Sequence, residues 1–174
     1  MISGAITSEE IEKLPPEIKS LVRGGRVKPD EYAIRKHGDH EYETRFLSKE
    51  EVEGVLRALP LEITFANKDY RIKFYTRSSF SEGFVRTKTT IGRRIEYCHP
   101  PRLEKLVKKT ADEVLSGREP YKEFWTRLGD RVMRVIIAPV RNRAGEIIGV
   151  LEIVEDLTDI VENVERIKKS VVVL

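Results

Sequence analysis

Two groups of alternating apolar segments, joined internally by short polar turns, constrain this chain more than any other feature. Leu61, Ile63 and Phe65 alternate with Glu62 and Thr64, and after Asn67-Lys68-Asp69 the alternation resumes at Tyr70, Ile72 and Phe74. A period of two marks a strand buried on one face, and turn chemistry between two such runs joins them as a hairpin. The same grammar returns further on. Lys122 to Leu128, Val132 to Val140 and Ile147 to Val154 are separated by Gly129-Asp130 and by Asn142 to Gly145. Pro139 has no amide proton for a ladder and belongs at a strand end or a bulge. Hairpin connections join antiparallel neighbours. The expectation is an α+β fold around a five-stranded antiparallel sheet, with helices on one face.

Helical signals surround and interrupt these strands. Thr7 and Glu10 have capping-box spacing before Pro15-Pro16, and Ile18, Leu21 and Val22 suggest further turns, stopped by Gly24-Gly25. Arg26 to Phe46 shows no sustained period and reads as a loop or extended arm. Ser48 and Glu51 form a second capping box, opening a helix whose Val52, Val55, Leu56 and Leu59 share a face until Pro60. Thr76 to Thr90 is polar, with Phe80 and Phe84 as scattered anchors. Pro100-Pro101 starts a helix over about Arg102 to Ser116, carrying Leu103, Leu106, Val107, Thr110, Val114 and Leu115 at helical spacing, and Gly117 caps it. After the last strand, Leu157, Ile160, Val164, Ile167 and Val171 recur three and four apart, the spacing of an a/d seam suited to a homodimer. The chain divides into a helical and loop extension over residues 1–58, a globular domain over 59–159 and a C-terminal helix over 160–174.

Composition excludes several classes. Hydrophobic residues make up 40% and charged residues 35% of the 174. No apolar run approaches the roughly 18 residues of a membrane span, and Met1 to Glu10 lacks the basic start and apolar stretch of a leader. The net charge of +3 comes from 32 basic and 29 acidic residues mixed along the chain. The short clusters Arg93-Arg94, Lys108-Lys109 and Lys168-Lys169 are not interleaved with aromatics, which argues against nucleic acid as a partner. A single cysteine, Cys98, fits a reducing cytoplasm. Glutamine is absent while Glu, Lys and Arg abound, a habit of proteins from very hot environments. No Ser-His-Asp arrangement, phosphate-cradling glycine loop or carboxylate pair points to an enzyme. Glu9-Glu10 and Glu50-Glu51 fall at helix starts, where they favour the dipole.

Two sets of residues could bind something. Cys98 and His99 are soft-to-borderline donors for a metal or haem iron, and His37 and His40, with Asp39, Glu41 and Glu43, could add ligands. A metal needs more donors than Cys98 and His99 provide, so the favoured reading is a histidine anchoring the turn before Pro100 and a solvated polar loop at His37 and His40. Trp125 joins Phe65, Phe74, Ile91, Ile95, Leu103, Val107, Val135, Ile137 and Val150 as candidate interior positions. These could line a small-molecule cavity or fill it. Glu152 facing inward would be a buried acid marking the pocket, but alternation with Leu151 and Ile153 places it outside.

Three stretches resemble the PAS domain family. "LPLEITFANKDYRIKFY" (Leu59 to Tyr75) is similar to the opening PAS hairpin. "TIGRRIEYCHPP" (Thr90 to Pro101) is similar to the segment where an Ile-Gly dipeptide leads to a short helix and a His-Pro. "AGEIIGVLEIVEDLTD" (Ala144 to Asp159) resembles the closing strand and its Asp-x-Thr junction with an output helix. Cys-His-Pro-Pro and the following strands resemble one subtype, found at the C-terminal end of bacterial and archaeal proteins with a hemerythrin-like domain and a domain of unknown function. The resemblance implies a non-catalytic sensor. Its pocket would be bordered by His99, Asp156 and Thr158 would form the signal junction, and a separate signalling protein would act downstream. It disfavours flavin, since Arg94-Ile95-Glu96 stands where light-sensing relatives carry Asn-Cys-Arg. Haem-binding relatives draw their iron ligand from the long helix, which here has no histidine. The alternative is a metal- or haem-dependent redox sensor using Cys98 and His99.

Overall fold

The structure is a computed structural model that describes residues 12–23, 37–42, 46–76, 84 and 86–172. The Thr7–Glu10 capping box, Glu43, Phe80 and the side chains of Leu21 and Val22 lie outside the described residues. Two compact units divide the chain, Met1–Val55 and Leu56–Leu174.

In the first unit, helix α1 (Pro16–Arg23) begins with proline, whose missing amide proton and fixed φ suit the first helical position. Within the stretch expected to be a loop, strands β1 (His40–Glu41) and β2 (Phe46–Leu47) form a short antiparallel ladder. Helix α2 (Lys49–Ala58) crosses the boundary between the units. Its capping box closes as expected: the Ser48 amide donates to Glu51 Oε2 at 2.7 Å, and the Glu51 amide donates to Ser48 Oγ at 3.2 Å.

The second unit is built on an antiparallel sheet of five strands: β3 (Glu62–Asn67), β4 (Ile72–Tyr75), β5 (Lys122–Leu128), β6 (Arg131–Arg141) and β7 (Ile147–Asp156), in the order β4-β3-β7-β6-β5. The first hairpin and the closing meander therefore meet along β3 and β7. Pro139 sits in β6 beyond the last residue paired with β5, Ile137, and just before a register shift at Val140/Arg141, so it removes no bond from the β5–β6 ladder. Short 3₁₀ turns at Lys88–Thr90, Ile95–Cys98 and Pro101–Leu103, followed by helix α3 (Glu104–Leu115), cover one face of the sheet. The expected helix thus begins as a 3₁₀ turn, and Gly117 closes it at a φ of 72°, where its amide donates to the Val114 carbonyl at 3.0 Å.

The first turn is more elaborate than a simple hairpin. Tyr70 belongs to the turn and not to the strand, and adopts the left-handed region at a φ of 62°. Its hydroxyl donates to Asp112 on α3, and Arg94 and Lys108 each stand 5.0 Å from its ring. Those contacts tie the turn to the helix and offset the strain.

The apolar core is small. Ala66, Ile72, Val114 and Val150 form one cluster with Ile95, Leu115 and Ile137 packed around them, and Ala111, Met133 and Val154 are buried as well. The C-terminal segment is not one helix. Helix α4 (Thr158–Glu162) and helix α5 (Val164–Ser170) are separated at Asn163, whose φ of −121° and ψ of 31° break the helical run. The expected seam is interrupted there, with Leu157 and Ile160 on one side and Val164, Ile167 and Val171 on the other. No helix is long and apolar enough to cross a membrane among the described residues.

Candidate functional site

Register identifies the sheet face that meets the helices. Thr64 pairs with Glu152 and Ala66 with Val150, while Glu152 pairs on its other side with Ile137. All five line a cavity of about 830 Å³ between the sheet, the 3₁₀ turns and α3. The opposite face carries Phe65, Leu151 and Ile153. The expected burial of β3 and β7 is therefore inverted: Glu62 and Thr64 are 4% and 6% exposed, while Ile63 and Phe65 are only half-buried. Glu152, expected outside, turns inward.

Arg86 makes this inversion possible. Its guanidinium contacts Glu62 Oε2 through Nη1 and donates to Glu152 Oε2 through Nη2 at 2.9 Å. The Phe84 amide also donates to Glu62 Oε2, at 3.2 Å. Buried carboxylates are tolerated when paired and hydrogen-bonded, and here one guanidinium serves two strands. Sequence reasoning placed Glu152 outside and did not single out Glu62 or Arg86. The available signal was a pair of acids set in otherwise apolar strands and an arginine within a polar linker.

Of the ten candidate interior positions and His99, seven line the cavity: Ile95, His99, Leu103, Val107, Val135, Ile137 and Val150. Four do not. Trp125 is 55% exposed, because alternation along β5 turns Phe124 and Thr126 toward the cavity and Trp125 away; its indole N–H donates to Glu123 Oε1 at 2.8 Å. Phe65 points to the outer face and lies over Gly149, where an added Cβ would come within 2.5 Å of its ring. Phe74 pairs with Phe65 and is 37% exposed, because a register shift between Phe65 and Ala66 places Lys73 as an extra residue and reverses its direction relative to Ile72. Ile91 lines a separate shallow concavity with Arg71, Arg94 and Tyr97.

Cys98 and His99 follow one another at the end of the 3₁₀ turn Ile95–Cys98. His99 Nδ1 donates to the Ile95 carbonyl at 2.8 Å, closing the turn that leads into Pro100. Cys98 is exposed, its Sγ lies 3.7 Å from the Arg94 carbonyl, and partial desolvation raises its thiol above its ordinary range. His37 and His40 are exposed. No group of three or more His, Cys, Asp or Glu that could hold a metal ion occurs among the described residues. Among the described residues the pair therefore brings two donors together, fewer than the four of a structural metal site.

At the end of β7, Asp156 Oδ1 accepts from the Thr158 amide at 3.1 Å and from the Thr158 hydroxyl at 2.5 Å. The Thr158 hydroxyl in turn accepts from the Val132 amide at 2.9 Å, and Arg131 stands 3.7 Å from Asp156 Oδ2. The Thr158 hydroxyl, with its amide and Arg131, holds the Asp156 carboxyl below the usual carboxylate range. The start of α4 is thereby fastened to the β5–β6 hairpin.

The chain matches the family model described as "PAS domain" over residues 52–158. It is similar to the crystal structure of a C-terminal domain from Streptococcus mutans, at 34% identity and a TM-score of 0.64, covering 71% of this chain and 96% of that one. A structure of the VqmA dimer from Vibrio cholerae, whose title concerns LuxR-type receptors, is 18% identical at a TM-score of 0.50, covering 65% of this chain and 52% of that one. A sensory box sensor histidine kinase from Vibrio cholerae is 18% identical at a TM-score of 0.44, covering 60% of this chain and 88% of that one. No curated protein matches. With more than half of its residues matched by the family model, the chain belongs to the PAS domain family.

Proposed function

We propose that the chain is a sensory PAS domain that binds a small molecule in the cavity and relays its occupancy through the terminal helices, without catalysing a reaction. One observation carries this: the cavity's polar cluster and the helix junction share a strand. Glu152 lies four residues before Asp156 on β7, so a ligand that re-pairs Glu152 acts on the strand that holds Thr158 and α4. The volume falls within the roughly 300–1,000 Å³ of small-molecule sites. The wider reading is a cytoplasmic homodimer, joined partly through exposed Ile160 and Val164, that acts on a separate signalling protein. The finer family reading is the subtype that ends hemerythrin-associated proteins.

Filling the cavity tests the relay without a ligand. Ala111 is buried against the cavity, and Ala111→Leu occupies part of it. Hydrogen exchange of Leu157 to Ser170 should change in this variant. A change confined to α3 and its neighbours would sink the relay.

A further inference from the structure

The charge on the cavity wall is mostly guanidinium. Arg86, Arg93, Arg102 and Arg127 line it against one acid, Glu152. Arg86 is engaged already, on Glu152 and on Glu62. Arg93, Arg102 and Arg127 form no ion pair among the described residues. Arg127 belongs to β5, whereas Arg93 and Arg102 flank the same stretch, the turn Ile95–Cys98 and the His99-Pro100 step after it. Desolvation raises the Cys98 thiol and the Arg93 guanidinium opposes that rise, so the Arg93 side chain lies toward this stretch and against a thiol instead of a carboxylate. Two cations without a counter-charge at the exposed mouth of an apolar cavity suit an anion.

A second demand is buried. Thr64, also on the wall, is 6% exposed, and its hydroxyl has no hydrogen-bond partner among the described residues. A hydroxyl withdrawn from water without a partner is unfavourable. Glu152 faces Thr64 across the ladder, which disfavours a second carboxylate there and suits a neutral hydroxyl, able both to accept and to donate. Leu103, Val107, Val135 and Ile137 line the wall with hydrocarbon. We propose that the cavity takes an aliphatic hydroxy acid, its carboxylate held by Arg93 and Arg102 and its hydroxyl bonded to Thr64. The proposal rests on the reading of the cavity as a ligand site. The planar fork of arginine matches a carboxylate. Because Arg93 and Arg102 are exposed and screened, the head group sets selectivity and the hydrocarbon supplies most of the affinity.

Probes of one skeleton test both ends: octanoate, octanol, octylamine and ω-hydroxyoctanoate, titrated calorimetrically into the full chain. Octanoate should bind about tenfold more tightly than octanol, the worth of one charge-assisted hydrogen bond, and octylamine least. Arg93→Gln with Arg102→Gln should abolish the preference for octanoate and leave octanol binding unchanged. Added salt should weaken octanoate and spare octanol in the wild type, which serves if the double variant does not fold. ω-Hydroxyoctanoate should bind severalfold more tightly than octanoate, and Thr64→Val, which keeps the shape of the side chain, should remove that gain. Equal binding of the acid, alcohol and amine, preference for the amine, or an acid preference indifferent to salt and to the arginine substitutions would overturn the ligand class and leave the cavity as a site. No gain from the added hydroxyl would overturn the Thr64 contact. Failure of every probe and of a neutral naphthalene dye to bind would overturn both the ligand class and the site.

Discussion

Removing Arg86 should be among the most damaging single changes in the sheet. Its side chain is 11% exposed and reaches Glu62 and Glu152, whose side chains are 5% and 23% exposed. Arg86→Met keeps the aliphatic stem and deletes the charge, leaving two carboxylates without their shared partner. Breaking a buried pair from one side costs about 3–5 kcal/mol; the residual exposure of Glu152 puts the expectation near the lower end, about 3 kcal/mol. Glu152→Gln leaves Arg86 on Glu62 and should cost less, about 1–2 kcal/mol for one charged hydrogen bond. The double variant should be more stable than the sum of the two costs predicts, because the arginine's removal no longer strands Glu152. Coupling between residues sharing one network runs to about 0.5–3 kcal/mol. Urea unfolding followed by tryptophan fluorescence suits the assay, since the single tryptophan, Trp125, sits on β5 of the same sheet. Costs below about 1 kcal/mol that add independently would show the cluster to be a solvated surface network, and the inward assignment of Glu62 and Glu152 would fall with it.

Thr158→Ala removes the acceptor of the Val132 amide and a donor to Asp156, and should cost about 1–3 kcal/mol by chemical denaturation. Part of that cost is linked to pH: the Asp156 carboxyl is depressed in the folded state, so its contribution is full above the unfolded value near 3.8 and is lost as pH falls through the folded one. The gap between variant and wild type should narrow in acid, and a constant gap would remove Asp156 from the junction. His99→Ala should lower stability by about 1–3 kcal/mol through the unpaired Ile95 carbonyl and leave the absorbance spectrum unchanged; a Soret band that the substitution abolishes would restore haem. Ile160→Glu with Ile167→Glu should dissociate a homodimer seen by sedimentation, and a wild-type monomer at tens of micromolar, where weak interfaces still associate, would remove the dimer.

The strand count, the hairpins and the Ser48–Glu51 cap were legible because each is a local signal: a period, a turn residue, a three-residue spacing. What alternation cannot say is which face meets the helices. On β3 both faces are partly apolar, Ile63 and Phe65 against Ala66, and the choice is made by Arg86, which pairs with residues 24 and 66 positions away. The one-residue shift at Lys73 then carries Phe74 outward, although Ile72 and Phe74 look equivalent in the sequence. Asn163 likewise interrupts a run whose apolar spacing is intact. Its side chain donates instead to Asp159 Oδ1 at 2.9 Å, the local bonding by which asparagine competes with a helix.

The central claim is that the face carrying Thr64, Ile137 and Val150 receives a ligand. Amide-detected NMR of the full chain, titrated with a mixture of small amines, acids and neutral aromatics, addresses it most directly. Binding at this site predicts shifts at Thr64, Val107, Ile137 and Val150 that continue along β7 to Leu157 and Thr158. Shifts confined to Phe65, Phe74 and Trp125 on the opposite face, or no shifts from any component, would contradict it.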